Sequence, residues 1–215
     1  MIICHQHGLV YLPPPKTGSS TLLTVLTKPP WHGIITGGTV AHHGFEWSEQ
    51  IRNYFFFITV RHPYTRMYSL WKMIVNNHRV IRRRPHMCGV FGQWLTEHWP
   101  TRPPTLDEFL DDPAIQCDFR GLWRCSWHLE QLPDNVHGTV VKQEKFQKDL
   151  RKIPQFQAYY SDDYRWPLIN GGRSRCAWHE VMTDKHCEKV QKLWDEDFDR
   201  FGYNRKRKAV IVLNK

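Results

Sequence analysis

The sequence has little that would place the protein in or across a membrane. It contains no uninterrupted apolar run long enough to span a bilayer, and its first ten residues, where a signal peptide would begin, are broken by His5, Gln6 and His7. We therefore expect a soluble, cytoplasmic chain without a membrane span. Internal repeats and low-complexity linkers are also lacking, so one domain over residues 1–215 is the simplest interpretation.

Cysteine is sparse and scattered. Six cysteines are dispersed among 215 residues, and a chain of this length can build a core without disulfide bonds. We expect mostly free thiols. Cys176, His179, His186 and Cys187 carry metal-ligating side chains, but their spacing matches no standard zinc pattern. No metal is therefore predicted.

Acidic residues are outnumbered by basic ones. The chain has 21 Asp and Glu against 30 Lys and Arg, which gives a formal charge of +9. This excess predicts attraction to an anion such as a nucleic acid, a membrane surface, a phosphorylated cofactor or an acidic glycan, without choosing among them. Much of it lies in Arg82–Arg84 and Arg205–Lys208, and such runs are more often solvated loops or tails than binding sites.

Strand and helix signals alternate along the chain. Gly8 to Leu12 predicts a first strand, which leads through Pro13–Thr21 into the apolar positions of a helix. Tyr54 to Val60 is an aromatic and β-branched run without polar alternation, as is typical of a central strand buried on both faces. The pattern predicts an α/β, P-loop-like fold in which helices flank a central, mainly parallel sheet.

The remaining elements are predicted from hydrophobic spacing and from stop signals. A helix is expected over Tyr64 to Asn77, and a short strand at Thr139–Val141 is followed by a polar helix over Gln143 to Leu150. The last long helix should cover Thr183 to Phe201 and end at Gly202.

The segment Lys16 to Thr21 carries the strongest functional signal. A loop that leaves a strand and opens a helix presents free backbone N–H groups and the positive end of the helix dipole, which suits a phosphate. Gly18 lets the backbone approach closely, and Lys16 adds a mobile charge. The other four residues offer hydroxyl donors: Thr17, Ser19, Ser20 and Thr21.

The Walker A loop of nucleotide triphosphatases is the competing interpretation of this segment. That loop requires a first glycine that is missing here, and its lysine follows the second glycine, whereas Lys16 precedes Gly18. A nucleotide-dependent kinase is therefore the weaker alternative.

Two segments together resemble sulfotransferases that use 3′-phosphoadenosine 5′-phosphosulfate (PAPS). Pro15 to Thr21, read as Pro-Lys-Thr-Gly-Ser-Ser-Thr, resembles their 5′-phosphosulfate loop, and Val60 to Trp71 is similar to their 3′-phosphate segment. In that segment an arginine at a strand end and a serine on the next helix hold the phosphate, so the resemblance implies these roles for Arg61 and Ser69. Arg61 also follows the predicted central strand, at the edge where open α/β sheets bind ligands.

The resemblance covers most of the chain and is closest to the carbohydrate-type sulfotransferases of Golgi enzymes and their bacterial relatives. Val140–Leu150, Pro167–Asn170 and Asp197–Tyr203 are similar to later landmarks of the family, whereas Arg79 to Asp118 shows none. The resemblance implies PAPS as sulfuryl donor and a hydroxyl acceptor, expected to be a carbohydrate. No nucleic-acid partner is expected.

Sulfuryl transfer needs stabilisation of the leaving phosphate and a base for the acceptor hydroxyl. Lys16 is the candidate for the first task, because an ammonium near the bridging oxygen gains most as charge develops there. In related carbohydrate enzymes the base is a histidine or glutamate between the two phosphate segments. His43, then His42, then Glu46 are the candidates, because His42 and His43 follow the predicted strand Ile34–Ala41.

Two further alternatives stay open. Asn170 to Arg175 is a basic loop that could close over the nucleotide, with Arg173 reaching the 3′-phosphate, or it is a plain surface turn. A basic module that binds polyanions without catalysis is the third functional class, motivated by the two basic runs. That class leaves the two phosphate segments unexplained.

Overall fold

The computed structural model describes residues 1–35, 48–84, 89–117, 124–161, 165–166 and 178–206. A five-stranded sheet lies at its centre, with helices packed on both faces. The strands are β1 (Ile2–Cys4), β2 (Leu9–Leu12), β3 (Ile34–Ile35), β4 (Phe55–Val60) and β5 (Gly138–Lys142). The helices are α1 (Ser19–Leu26), α2 (Pro63–Arg83), α3 (Gly89–His98), α4 (Leu106–Asp111), α5 (Pro113–Gln116), α6 (Ser126–Glu130), α7 (Phe146–Leu150), α8 (Pro154–Gln157), α9 (Trp178–Val181), α10 (Asp184–Leu193) and α11 (Asp195–Arg200).

The sheet has the strand order β3-β1-β2-β4-β5. β4 pairs in parallel with both β2 and β5, whereas β1 is antiparallel to β2 and to β3. Of the five described strands only β1 therefore opposes the common direction. The predicted α/β fold with a mainly parallel sheet is confirmed. The carboxyl ends of β2, β4 and β5 meet at one edge, where the phosphate segments begin.

β4 is the central strand that its sequence predicts. Phe57 packs with Tyr11 of β2 and with α1 and α7 on one face of the sheet. Phe56, Ile58 and Val60 lie on the other face of the sheet. There they pack with Met1 and Phe201. Side chains alternate between faces along a strand, so an apolar run without alternation is the pattern of a strand covered on both sides.

Two predicted helix boundaries are wrong. α2 continues past Asn77 to Arg83, because Ile81 still packs in the core beside Ile74 and Pro85 is the first residue that excludes a helix. The predicted helix over 183–201 is broken at Trp194, whose φ of −125° and ψ of 35° are not helical.

Two other boundary predictions are refined or confirmed. The polar segment after β5 is a 3₁₀ turn over Gln143–Lys145 that precedes the short α7. Gly202 does follow the end of α11, with a left-handed φ of +60° that suits glycine.

Candidate functional site

The loop over residues 13–18 joins β2 to α1 at the carboxyl edge of the sheet. Lys16 and Gly18 both have left-handed backbones, with φ of +66° and +93°. Gly18 caps α1, and this conformation favours glycine there. Ser19 and Ser20 open the helix, where N–H groups lack an acceptor within the helix itself. The loop therefore presents the donors and the helix dipole that a phosphate needs.

Side chains from the loop, β4 and α2 hold the carbonyl groups of this loop. Three successive carbonyl oxygens each accept a hydrogen bond: Pro14 from Thr17 Oγ1 (2.8 Å), Pro15 from Arg66 Nε (2.9 Å) and Lys16 from Arg61 Nη1 (3.4 Å). Lys16 is the last residue of this held stretch, which keeps its backbone in a conformation that a non-glycine residue rarely adopts.

The predicted loop hydroxyls lie in different environments. Thr17 is fully buried. Its Oγ1 donates a hydrogen bond to the carbonyl of Pro14 and lies 2.7 Å from Thr59 Oγ1 on β4. Its hydroxyl is thus engaged inside the protein. Ser19 and Thr21 are also buried, whereas Ser20 is half-buried.

Arg61 follows β4 and lies directly beside the loop. Its Nε donates to Thr65 Oγ1 (3.0 Å), and its Nη1 donates to the carbonyl of Lys16. Thr65 is one helical turn before Ser69, and residues four apart share a helix face. The half-buried Ser69 therefore lies farther along the same face that Arg61 contacts. The structure brings Lys16 and Arg61 together and places Ser69 on the adjoining helix face.

The charge at this edge is positive and partly desolvated. Burial lowers the pKa of Lys16, and the nearby charge of Arg61 lowers it further. Lys142 ends β5 in register with Val60, and burial also lowers its pKa. No carboxylate of the described residues forms an ion pair with Lys16. A bound anion would relieve the repulsion between these cations and restore the pKa of Lys16.

His62 caps α2 and is held in its neutral form. Its Nδ1 accepts from the Tyr64 N–H (3.3 Å), so the proton is on Nε2, which donates to the Asn204 carbonyl (3.0 Å). Burial lowers the pKa of His62 to about 4, although the bond to Asn204 opposes the shift. His62 thus serves the local structure.

Glu144 lies in the 3₁₀ turn after β5 and links this turn to His62 and Tyr203 at the same edge of the sheet. One carboxylate oxygen accepts from the His62 backbone N–H (2.8 Å), and the other accepts from the Tyr203 hydroxyl (3.1 Å). Burial raises the pKa of Tyr203, with a further contribution from the charge of Glu144. The ammonium of Lys142 lies 4.6 Å from the centre of the Tyr203 ring.

Arg66 and Asp197 support the site and were missed by the sequence analysis. Both side chains are 2% exposed, and Arg66 Nη1 lies 3.5 Å from Asp197 Oδ2. The guanidinium is also stacked over Trp194, and the two carboxylate oxygens accept the N–H groups of Cys125 and Ser126 at 2.8 Å. A carboxylate at position 197 in the same apolar stripe as Trp194 was the available signal.

Several predicted site residues lie outside the described residues. These are the base candidates His42, His43 and Glu46, and the loop residue Arg173. β3 begins the segment that leads to the base candidates and runs in the same direction as β2, so its carboxyl end lies at the edge of the sheet that carries Lys16.

The described residues contain neither a metal-binding cluster nor a membrane-spanning helix. No group of three or more His, Cys, Asp or Glu that could hold a metal ion occurs within them. None of the helices described above combines the length and the hydropathy needed to cross a membrane. Cys4, Cys117, Cys125 and Cys187 are free thiols.

Most of the chain matches the profile of a protein family. The profile of the Sulfotransferase family matches residues 1–204, a range that contains every described residue of the candidate site. No curated protein and no solved structure matches the chain.

Proposed function

The chain belongs to the sulfotransferase family, and on that basis we propose that it moves the sulfuryl group of PAPS to a hydroxyl of a carbohydrate. The observation that carries the proposal is the contact between Arg61 Nη1 and the carbonyl of Lys16. This contact makes the two phosphate-binding segments neighbours at one sheet edge. A donor with phosphate groups at both its 3′ and 5′ positions would engage both segments at once.

The phosphate loop supplies the 5′ half of the proposed donor site. Backbone N–H groups at Gly18, Ser19 and Ser20 and the positive end of α1 suit a phosphate. The ammonium of Lys16 is half-buried and faces the added repulsion of Arg61, and both effects lower its pKa, so its charge is unfavourable there. An anion in contact with the loop would balance it, so the residues fit the donor.

Arg61 and Ser69 supply the 3′ half. The guanidinium is oriented by Thr65 on one side and by the Lys16 carbonyl on the other. A planar, oriented guanidinium suits a phosphate because it donates two parallel hydrogen bonds. Ser69 would add a hydroxyl donor from the next turn of α2.

In the proposed mechanism the chain's residues act on charge and on one proton. When bound, PAPS supplies an activated sulfuryl group and is left as adenosine 3′,5′-bisphosphate. Lys16 stabilises the negative charge that develops on the leaving phosphate, which is an interaction stronger in the transition state than in the ground state. His43 accepts the proton of the acceptor hydroxyl, with His42 and Glu46 as its alternatives. Arg173 is the further candidate for contact with the 3′-phosphate.

The direct test is transfer of labelled sulfate from PAPS to a panel of glycans and small hydroxyl compounds. We expect Lys16→Ala to lower kcat about 100- to 1,000-fold, as for loss of other transition-state donors. His43→Ala should also abolish most of the transfer. Lys28→Ala, at an exposed position just beyond the carboxyl end of α1, is the matched control and should transfer at the wild-type rate. Full activity of Lys16→Ala would contradict the proposed mechanism.

A further inference from the structure

A chain of three buried hydroxyl groups lies beneath the phosphate loop, and we propose that it positions Lys16 for sulfuryl transfer. The three residues are Tyr11 on β2, Thr59 on β4 and Thr17 in the loop, and none of them is exposed to solvent. Tyr11 OH and Thr17 Oγ1 each lie 2.7 Å from Thr59 Oγ1. The inference rests on the proposed function, because the three hydroxyl groups are held to act on the reaction that Lys16 assists.

The direction of every hydrogen bond in this chain is determined. Thr17 Oγ1 donates its only proton to the carbonyl of Pro14, so it must accept the proton of Thr59. Because Thr59 has given its proton to Thr17, it can only accept from Tyr11, and the Tyr11 hydroxyl is therefore the donor. The order is therefore Tyr11 to Thr59 to Thr17 to the Pro14 carbonyl. Each of the three hydroxyl protons has an acceptor in this arrangement.

The three hydroxyl groups couple the backbone of Lys16 to the central strand of the sheet. Thr59 belongs to the central strand β4, which is paired on both sides and covered on both faces. Thr59 contacts Thr17, and Thr17 in turn donates to the Pro14 carbonyl. These hydrogen bonds therefore hold the backbone before and after Lys16, whose φ is +66°. Such a conformation persists only where surrounding contacts impose it. Without the link at Thr59 the loop can relax, and the ammonium moves with it.

The position of Lys16 matters more for the chemical step than for binding the donor. The backbone N–H groups of α1 and the side chain of Arg61 would hold the phosphate groups in the ground state, whereas Lys16 acts on charge that appears in the transition state. A displacement of about 1 Å can cost about 100-fold in rate. Loss of the link is therefore expected to change kcat more than KM for PAPS.

The main test variant is Thr59→Val, which keeps the shape of the side chain and removes its hydroxyl. We expect kcat to fall about 10- to 100-fold with a smaller change in KM for PAPS, and Thr59→Ser, which restores the hydroxyl, to recover most of the rate. Thr17→Val removes the same contact from the loop side and should give the same loss, which keeps the test valid if Thr59→Val does not fold. Thr27→Val, which removes a hydroxyl bond at the end of α1, is the unaffected control.

Tyr11→Phe separates positioning from general stability. It removes one buried hydroxyl but leaves the part of the chain from Thr59 to Pro14 intact, so its loss of kcat should be smaller than that of Thr59→Val at a similar loss of melting temperature. Equal losses that follow melting temperature would overturn the positioning role, as would a wild-type kcat in Thr59→Val. A wild-type protein that neither transfers sulfate from PAPS nor is stabilised by adenosine 3′,5′-bisphosphate would refute the proposed function and this inference with it.

Discussion

Replacing Arg66 with methionine is expected to destabilise the protein strongly, because Arg66 belongs to a buried ion pair. Arg66 and Asp197 form an ion pair in which both side chains are 2% exposed. Methionine has a similar length and fills the space, but it removes the charge, the bond to the Pro15 carbonyl and the stacking over Trp194. The carboxylate of Asp197 is then left buried without its counter-charge.

The size of the effect follows from the cost of leaving one partner of a buried pair alone. Such losses amount to about 3–5 kcal/mol. The Cys125 and Ser126 N–H groups still bind Asp197, so the lower end of the range is expected. For a chain of 215 residues each kcal/mol shifts the melting temperature by about 2–4 °C, which gives a drop of about 6–12 °C for 3 kcal/mol.

Urea and thermal denaturation of matched variants measure this effect. Arg200→Met breaks a comparable pair with Glu196 whose side chains are 38% and 42% exposed, and an exposed pair contributes about 0–1 kcal/mol. Asp197→Asn, which removes the counter-charge of the buried Arg66, should resemble Arg66→Met. If Arg66→Met shifted the melting temperature no more than Arg200→Met, the reasoning about burial would be refuted.

Three further predictions concern the donor site and its pH dependence. Ser69→Ala should weaken binding of adenosine 3′,5′-bisphosphate about tenfold or more, as for a lost hydrogen bond to a charged group, and leave binding of adenosine 5′-phosphate unchanged; calorimetry with both ligands is the check. Because the pKa of Lys16 is lowered by burial and by Arg61, the alkaline fall of kcat/KM should begin below the pH of an ordinary lysine, and Arg61→Gln should move it to higher pH. Because folding lowers the pKa of His62 from 6.5 to about 4, the unfolded chain binds more protons in that range. Stability should therefore fall with decreasing pH between 6.5 and 4 by about 1.4 kcal/mol per unit. His62→Asn keeps a capping acceptor and should remove this part of the pH dependence in urea titrations.

The sequence predicted those features that depend on neighbouring residues. β4 was identified from its unbroken apolar run, and the loop at Lys16 from the order of strand, glycine and helix. These patterns are local, because backbone conformation and strand burial leave their mark within a few residues. The family match over residues 1–204 confirms the family that the segments Pro15–Thr21 and Val60–Trp71 resemble.

Features that depend on distant residues could not be predicted in the same way. Arg66 meets Asp197 across 131 positions, and Thr17 meets Thr59 across 42. In the sequence Thr59 is one polar residue in an apolar strand, and nothing nearby shows that its hydroxyl has two buried partners. The break at Trp194 was hidden because the apolar spacing continues through it, while the backbone changes conformation under the stacked guanidinium.

Calorimetric titration with adenosine 3′,5′-bisphosphate and, separately, with ATP and magnesium tests the central claim most directly. The account predicts that the wild-type protein binds the bisphosphate in preference to ATP. It also predicts that Lys16→Ala and Arg61→Gln each weaken this binding, because Arg61 faces the 3′-phosphate and Lys16 faces the charge that the leaving 5′-phosphate carries in this product. A preference for ATP, or bisphosphate binding that both substitutions leave unchanged, would contradict it.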